Sequence, residues 1–271
     1  MAVTGLEQEQ AKVATALKHI KNRLLVFSGK GGVGKTTAAV NIAVGLAQQG
    51  RKVGLLDVDI HGPDVAKMFG IEDAKMGLAD KGRIKPVISA YDIRVVSMAF
   101  LLQDRNAPVI WRGPLKMRVI MQFLGDVEWG DLDWLVVDSP PGTGDEPLSI
   151  AQLVPATAAI IVTTPQSVAL LDTRKAVNFA QMLKLRILGV VENMSGFTCP
   201  YCGKKVDLFK TGGGAKMAQE MLVPLLGKVP IDPAIVDSSD EGKPYIAGYP
   251  DAEASKVMKE VVARIIESEV K

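Results

Sequence analysis

The chain has 271 residues, 48% of them hydrophobic, and 32 Lys and Arg against 30 Asp and Glu leave a net charge of +2. That length and apolar content suit one large α/β domain with a sizeable core. The balanced charge, without single-sign blocks, lacks the footprint of a nucleic-acid binder, and two cysteines do not make a disulfide framework.

Residues 1–22 read as a helical tail. Glu7, Glu9, Lys12 and Lys18 interrupt its apolar residues, so it has no secretory-signal core and no small-residue cleavage site. Residues 23–271 read as a single domain. Short apolar runs at 24–28, 53–57, 93–97, 134–138, 158–163, 187–192 and 226–229 predict strands, several of them rich enough in Val, Ile and Leu to be buried on both faces. Helical patterns occupy 35–49, 115–124, 147–153, 168–183, 215–222 and 253–268. This alternation predicts an α/β fold: a doubly wound, mostly parallel sheet with helices on both faces and ligands at the carboxyl ends of the strands.

Two segments raise the question of a membrane. The run 147–171 has no charged residue, but Pro147, Pro155 and Pro165 divide it into a helix, a strand and a loop. The last helix carries a stripe of Val257, Met258, Val261, Val262, Ile265 and Ile266. Its polar side mixes Lys256, Lys259, Glu260, Arg264 and Glu267, which fits packing on the sheet better than a basic membrane helix. The reading is a cytoplasmic protein with neither membrane nor nucleic acid as a partner.

The segment Gly29-Lys30-Gly31-Gly32-Val33-Gly34-Lys35-Thr36-Thr37 follows a predicted strand and opens a predicted helix. It satisfies G-x-x-x-x-G-K-[ST] in the required context. Its glycines allow backbone N–H groups to converge on phosphate oxygens, and the helix N-terminus adds positive potential. Lys35 is expected to reach the β- and γ-phosphates of ATP, and Thr36 to ligate Mg²⁺. Two apolar strands end in carboxylates: Leu55-Leu56-Asp57-Val58-Asp59 and Leu135-Val136-Val137-Asp138. A strand delivering Asp beside a phosphate loop suits Mg²⁺ held through water, which assigns Asp138. Gly142-Thr143-Gly144-Asp145 continues as a candidate mobile segment.

The second lysine of the loop, Lys30, gives Gly-Lys-Gly-Gly-Val-Gly-Lys-Thr-Thr. This resembles the signature of the deviant Walker-A ATPases, which include MinD, ParA, the nitrogenase iron protein and the Mrp/ApbC-type proteins. The resemblance implies a homodimer in which Lys30 crosses to the partner's nucleotide. It also implies a first switch in which Asp59 orients the attacking water and Asp57 supports Mg²⁺. At the adenine it places Asn193, whose amide both donates and accepts, with Pro230 and Ile231 against the base.

Cys199-Pro200-Tyr201-Cys202 lies in a loop near 196–212. Two thiolates at this spacing can share a metal or cluster, and Lys204 and Lys205 favour thiolate. They supply half of a tetrahedral set, and His19 and His61 are far away in sequence; two subunits could complete the set. Zinc, a thiol–disulfide pair and inert loop cysteines remain alternatives. Asp57-Val-Asp-Ile-His-Gly-Pro63, Ser97-Met98, Arg112-Gly-Pro114, Asp138-Ser-Pro-Pro-Gly-Thr-Gly144, Glu192-Asn-Met-Ser195, the cysteine pair and Asp240-Glu-Gly-Lys-Pro244 together resemble the Mrp/ApbC branch over roughly residues 20–270. That resemblance implies an ATP-hydrolysing carrier with a [4Fe–4S] cluster bridging two subunits, delivered to apo-proteins, zinc being a possible surrogate. The alternatives are a MinD- or ParA-like positioning ATPase, which gives no reason for the cysteines, a zinc-bridged dimeric ATPase, and an electron-transfer reductase like the nitrogenase iron protein.

Overall fold

Strand sequences made almost wholly of Val, Ile and Leu require cover on both faces, and the chain folds to provide it. The computed structural model describes residues 5–102 and 113–269; Arg112 lies outside the described residues. The first half runs α1 (Gly5–Leu17), β1 (Ile20–Ser28), α2 (Lys35–Gln48), β2 (Val53–Asp57), α3 (Val65–Met68), β3 (Gly77–Leu78), β4 (Ile84–Lys85), β5 (Val87–Ile88), β6 (Arg94–Ser97) and α4 (Gly113–Gly125). The second runs β7 (Leu132–Asp138), α5 (Asp145–Leu153), β8 (Ala158–Thr163), α6 (Ser167–Met182), β9 (Ile187–Glu192), β10 (Phe197–Thr198), β11 (Lys205–Val206), α7 (Gly213–Glu220), β12 (Leu225–Lys228), α8 (Ala234–Asp240), α9 (Tyr245–Gly248) and α10 (Glu253–Glu267).

Eight strands form one sheet in the order β12-β9-β8-β1-β7-β2-β6-β5. Every neighbouring pair is parallel except β5 with β6. This is the doubly wound sheet expected from the alternation. Along β1 the side chains alternate between two cores: Leu24 and Val26 face one, Leu25 and Phe27 the other. The first core holds α2 and the stripe of α10, with Met258, Val261, Val262 and Ile265 buried. The apolar face of the last helix is thus occupied by the protein itself. No helix among the described residues is long and apolar enough to cross a membrane, and the uncharged run 147–171 divides into α5, β8 and the start of α6.

Differences from expectation concentrate where polar residues mask a strand. β1 begins at Ile20, inside the segment read as a tail, because Ile20 to Arg23 pair with Leu132 to Leu135 of β7 and Lys21 meets Asp133 at 2.8 Å. α1 is docked through Val13 and Leu17 into the second core, beside Phe123 and Leu124 of α4.

Candidate functional site

The carboxyl ends of β1, β2 and β7 meet where the chain leaves β1 toward β2 on one side and later crosses from β7 to β8 on the other. That reversal opens a crevice at the strand ends. The loop after β1 turns into α2 at Gly34, whose φ of +85° is the left-handed region, and no side chain caps the helix there. A helix N-terminus without a side-chain cap leaves its first-turn N–H groups available, as a phosphate cradle requires. A Cβ at Gly34 would stand 2.1 Å from Asn193 Nδ2. Gly34→Ala is therefore expected to lose about 2 kcal/mol or more, from left-handed strain of about 1–2 kcal/mol and a displaced hydrogen bond of about 1 kcal/mol. Urea unfolding checks this.

Lys35 is buried and gathers the acidic strand ends. Its Nζ donates to Asp138 Oδ1 at 2.6 Å and to Thr36 Oγ1 at 3.2 Å, and lies 3.5 Å from Asp59 Oδ2. Thr36 Oγ1 donates to Asp138 Oδ2 at 2.7 Å. Adjacent hard oxygens on Thr36 and Asp138 are a donor set that suits Mg²⁺, which binds through one or two protein oxygens and retains waters. Burial pushes the Asp138 carboxyl above its ordinary range, with the Lys35 ammonium opposing that shift.

Asp57 faces Asp138 directly across the β2–β7 register and Ser97 across β2–β6. Ser97 Oγ donates to its Oδ2 at 2.7 Å, and the Asp59 amide donates to its Oδ1 at 3.1 Å. Full burial, then the Asp138 charge, drives the Asp57 carboxyl well above the usual carboxylate range. The folded state therefore holds a proton that the unfolded chain releases. Stability from this group is fully present below the ordinary Asp value and is lost as pH rises through the raised folded value. In the nucleotide-free protein, Asp57→Asn is expected to flatten that slope and to raise the unfolding midpoint near pH 8 by about 2–4 °C, the effect of about 1 kcal/mol in a chain of this size. Thermal unfolding across roughly pH 5–8 checks it.

Beside the loop lies a cleft of about 590 Å³, lined by Gly34, Thr36, Thr37, Asn193, Pro230 and Ile231 among others. That is within the size range of small-molecule sites. Six of the predicted nucleotide contacts thus line one cleft at the helix N-terminus. Asn193 reaches across, its Nδ2 donating to the Val33 carbonyl at 2.9 Å. Gly29 is packed so tightly on α6 that a Cβ would lie 2.3 Å from the Asp172 carbonyl. The carbonyl of Lys30 accepts from Ser28 Oγ at 2.9 Å, and no described carboxylate holds its partly exposed ammonium. Gly31 and Gly32 are exposed at the loop's crest. Beyond Asp59, His61 meets Lys116 of α4 at 3.1 Å, and Lys116 meets Glu146 of α5 at 3.1 Å.

The cysteines sit at the turn of the β10–β11 hairpin. The Cys199 amide donates to the Lys204 carbonyl and the Gly203 amide to the Cys199 carbonyl, both at 2.9 Å, with Gly203 at φ +68°. Backbone amides at Tyr201 and then Cys202 stabilise the Cys199 thiolate and lower its pKa. Both thiols are free, and Cys202 is exposed. No cluster of three or more His, Cys, Asp or Glu able to hold a metal occurs among the described residues. Sequence reasoning missed Ser97 as the partner of Asp57, and it missed Phe209, which leaves the thiol hairpin to line the cleft. Only the sheet register could have revealed the first.

The family model described as ParA, NUBPL iron-transfer P-loop NTPase, matches residues 19–266. An iron–sulfur cluster carrier protein of Saccharolobus solfataricus is 51% identical over 94% of this chain and 86% of its own length. The cytosolic Fe–S cluster assembly factor CFD1 of Kluyveromyces lactis is 44% identical over 98% of this chain and 97% of its own. Among solved structures, a nucleotide-binding protein of Archaeoglobus fulgidus in complex with ADP, with cobalt found by PIXE, superposes with a TM-score of 0.78 at 39% identity over 86% of this chain and 91% of that one. The cell division ATPase MinD of Pyrococcus furiosus shares the fold, with a TM-score of 0.65 at 24% identity over 91% of this chain and 99% of that one.

Proposed function

Because the chain belongs to the ParA family, in its NUBPL iron-transfer P-loop NTPase branch, we propose that it is an ATP-hydrolysing carrier of iron–sulfur clusters. In this reading a [4Fe–4S] cluster is held between two copies by Cys199 and Cys202 of each and is passed to apo-proteins. The observation that carries it is the half-complete thiol site: one protomer offers two thiols on an ordered turn and no third ligand among the described residues, whereas a cluster takes four. The iron–sulfur cluster carrier and the Fe–S cluster assembly factor reported among the relatives support an iron–sulfur cargo.

ATP would lie with its phosphates against the amides of residues 29–37. Lys35 would leave its carboxylates to meet the β- and γ-phosphates, and adenine would enter the cleft between Asn193 and Pro230-Ile231. Thr36 directly, and Asp138 through water, would hold Mg²⁺, with Asp57 supporting from behind; the ion neutralises charge on the phosphate oxygens. Asp59 would orient the water that attacks the γ-phosphorus, and Lys30 would reach the partner's nucleotide.

The test is anaerobic reconstitution with iron and sulfide, beside the Cys199→Ser, Cys202→Ser double variant. A brown chromophore near one cluster per dimer, absent from the variant, is the expected result. Metal analysis separates a zinc-bridged dimer, which uses the same thiols. An identical chromophore in the variant sinks the carrier reading.

A further inference from the structure

Glu192 has no role in the chemistry above, yet it is a fully buried carboxylate with four hydrogen bonds. It ends β9, immediately before Asn193. Its Oε1 accepts from the Gly212 amide at 2.8 Å and from the Ser195 hydroxyl. Its Oε2 accepts from the Ala215 amide at 3.2 Å and from the Gly214 amide. These donors are the two ends of one excursion: Ser195 opens it, and residues 212–215 close it as α7 begins. Between them lie β10, the thiol turn and β11. Ser195 Oγ also meets Thr211 Oγ1 at 3.0 Å, crossing the neck a second time. A Cβ at Gly214 would lie 2.7 Å from Glu192 Oε2, so the first turn of α7 passes directly over the carboxylate.

The same excursion forms part of the nucleotide cleft. Phe209 lines it, as does Met194 just before the excursion opens. The Ile231 amide donates to the Gly196 carbonyl at 2.8 Å, and Phe197 bridges to Ile231, so the root of the hairpin is bonded to the segment lining the cleft. The residue that follows Glu192, Asn193, holds the phosphate loop at Val33.

We propose that Glu192 is a positioning residue that locks the thiol hairpin to the nucleotide cleft, so that nucleotide in the cleft and metal on Cys199 and Cys202 change each other's affinity. The coupling is reciprocal by thermodynamic necessity. The inference rests on the reading that these thiols hold a metal.

The probe is Co²⁺ alone, with Mg²⁺ in excess, with and without saturating ADP; sulfur-to-cobalt absorption reports only thiolate-bound cobalt. The wild-type affinity for Co²⁺ is expected to differ at least about fivefold between the two conditions. Glu192→Gln keeps the shape but puts an amide donor against backbone N–H groups. Its ratio is expected to fall to near one while unfolding stays a single transition. Ser195→Ala and Phe209→Ala leave the amide contacts of Glu192 intact and are expected to narrow the ratio; they carry the test if Glu192→Gln does not fold. A wild-type ratio near one, or one unchanged in every folded variant, overturns the proposal. Cobalt–sulfur absorption that survives in the double cysteine variant overturns the carrier reading instead. Thiol-bound cobalt indifferent to ADP leaves that reading standing and overturns only this coupling.

Discussion

Lys35→Met is expected to lower ATP hydrolysis by at least about 10²–10³-fold, the loss seen when one preorganised donor to developing charge is removed. The structure adds a second effect, on stability. Lys35 is the cation among Asp57, Asp59 and Asp138, 2.6 Å from the last of these and 6% exposed. Its loss leaves buried carboxylates without that charge, at a cost of about 3–5 kcal/mol. Acid should relieve the cost. Burial already holds the Asp57 and Asp138 carboxyls above their ordinary range, and without the ammonium they bind protons still more readily than in the unfolded chain, so stability falls as pH rises through their raised values. Phosphate release reads the loss of hydrolysis, and urea unfolding at two pH values reads the loss of stability and its relief by acid. Hydrolysis within tenfold of wild type would place the phosphate-binding charge on another residue.

Lys30→Ala is expected to keep nucleotide affinity within a few-fold and to lose about 10³-fold in hydrolysis, as when a finger residue supplied in trans is removed. The Lys30 ammonium has no described carboxylate partner in its own chain, so its loss should leave the unfolding midpoint almost unchanged. A mixing experiment decides between action within a chain and action across a dimer. Lys30→Ala retains its own Asp59; Asp59→Asn retains Lys30. If Lys30 acts across the interface, equal amounts should recover about a quarter of the wild-type rate, because half of the dimers are mixed and each mixed dimer has one complete site. No recovery, with exchange of subunits verified by mass, would confine Lys30 to its own nucleotide.

The sheet and the phosphate loop were legible for a physical reason. Strands buried on both faces must be apolar throughout, and a backbone cradle for phosphate requires glycine at spaced positions, so both constraints leave their marks locally. Where meaning depends on register, the reading stopped. Asp57 and Asp138 were recognisable as strand-ending carboxylates, but their direct opposition, and Ser97 beside them, exist only once β6, β2 and β7 are aligned. The opening of β1 was hidden by Lys21, Asn22 and Arg23, whose polarity suits a strand end hydrogen-bonded at a surface. The thiol hairpin has two-residue strands, too short to show a period. Glu192 looked like the polar end of an apolar run, and its backbone partners 20 or more residues later give no signal in the chain itself.

The position of β1 at the centre of the sheet also sets the order in which the protein can assemble. Its neighbours are β7, whose pairing begins at Leu132, and β8, whose pairing begins at Ala158. A growing chain therefore makes the phosphate loop early and must hold Leu24 to Phe27 unpaired until more than a hundred further residues have been synthesised. Central pairings between such distant segments carry a large loop-closure cost and fold slowly. Until they close, an apolar strand with both edges open is available to chaperones and to other nascent chains. The residues that line the cleft beside the loop, Asn193 and Pro230-Ile231, are made later still, so the cleft is complete only after those segments have emerged.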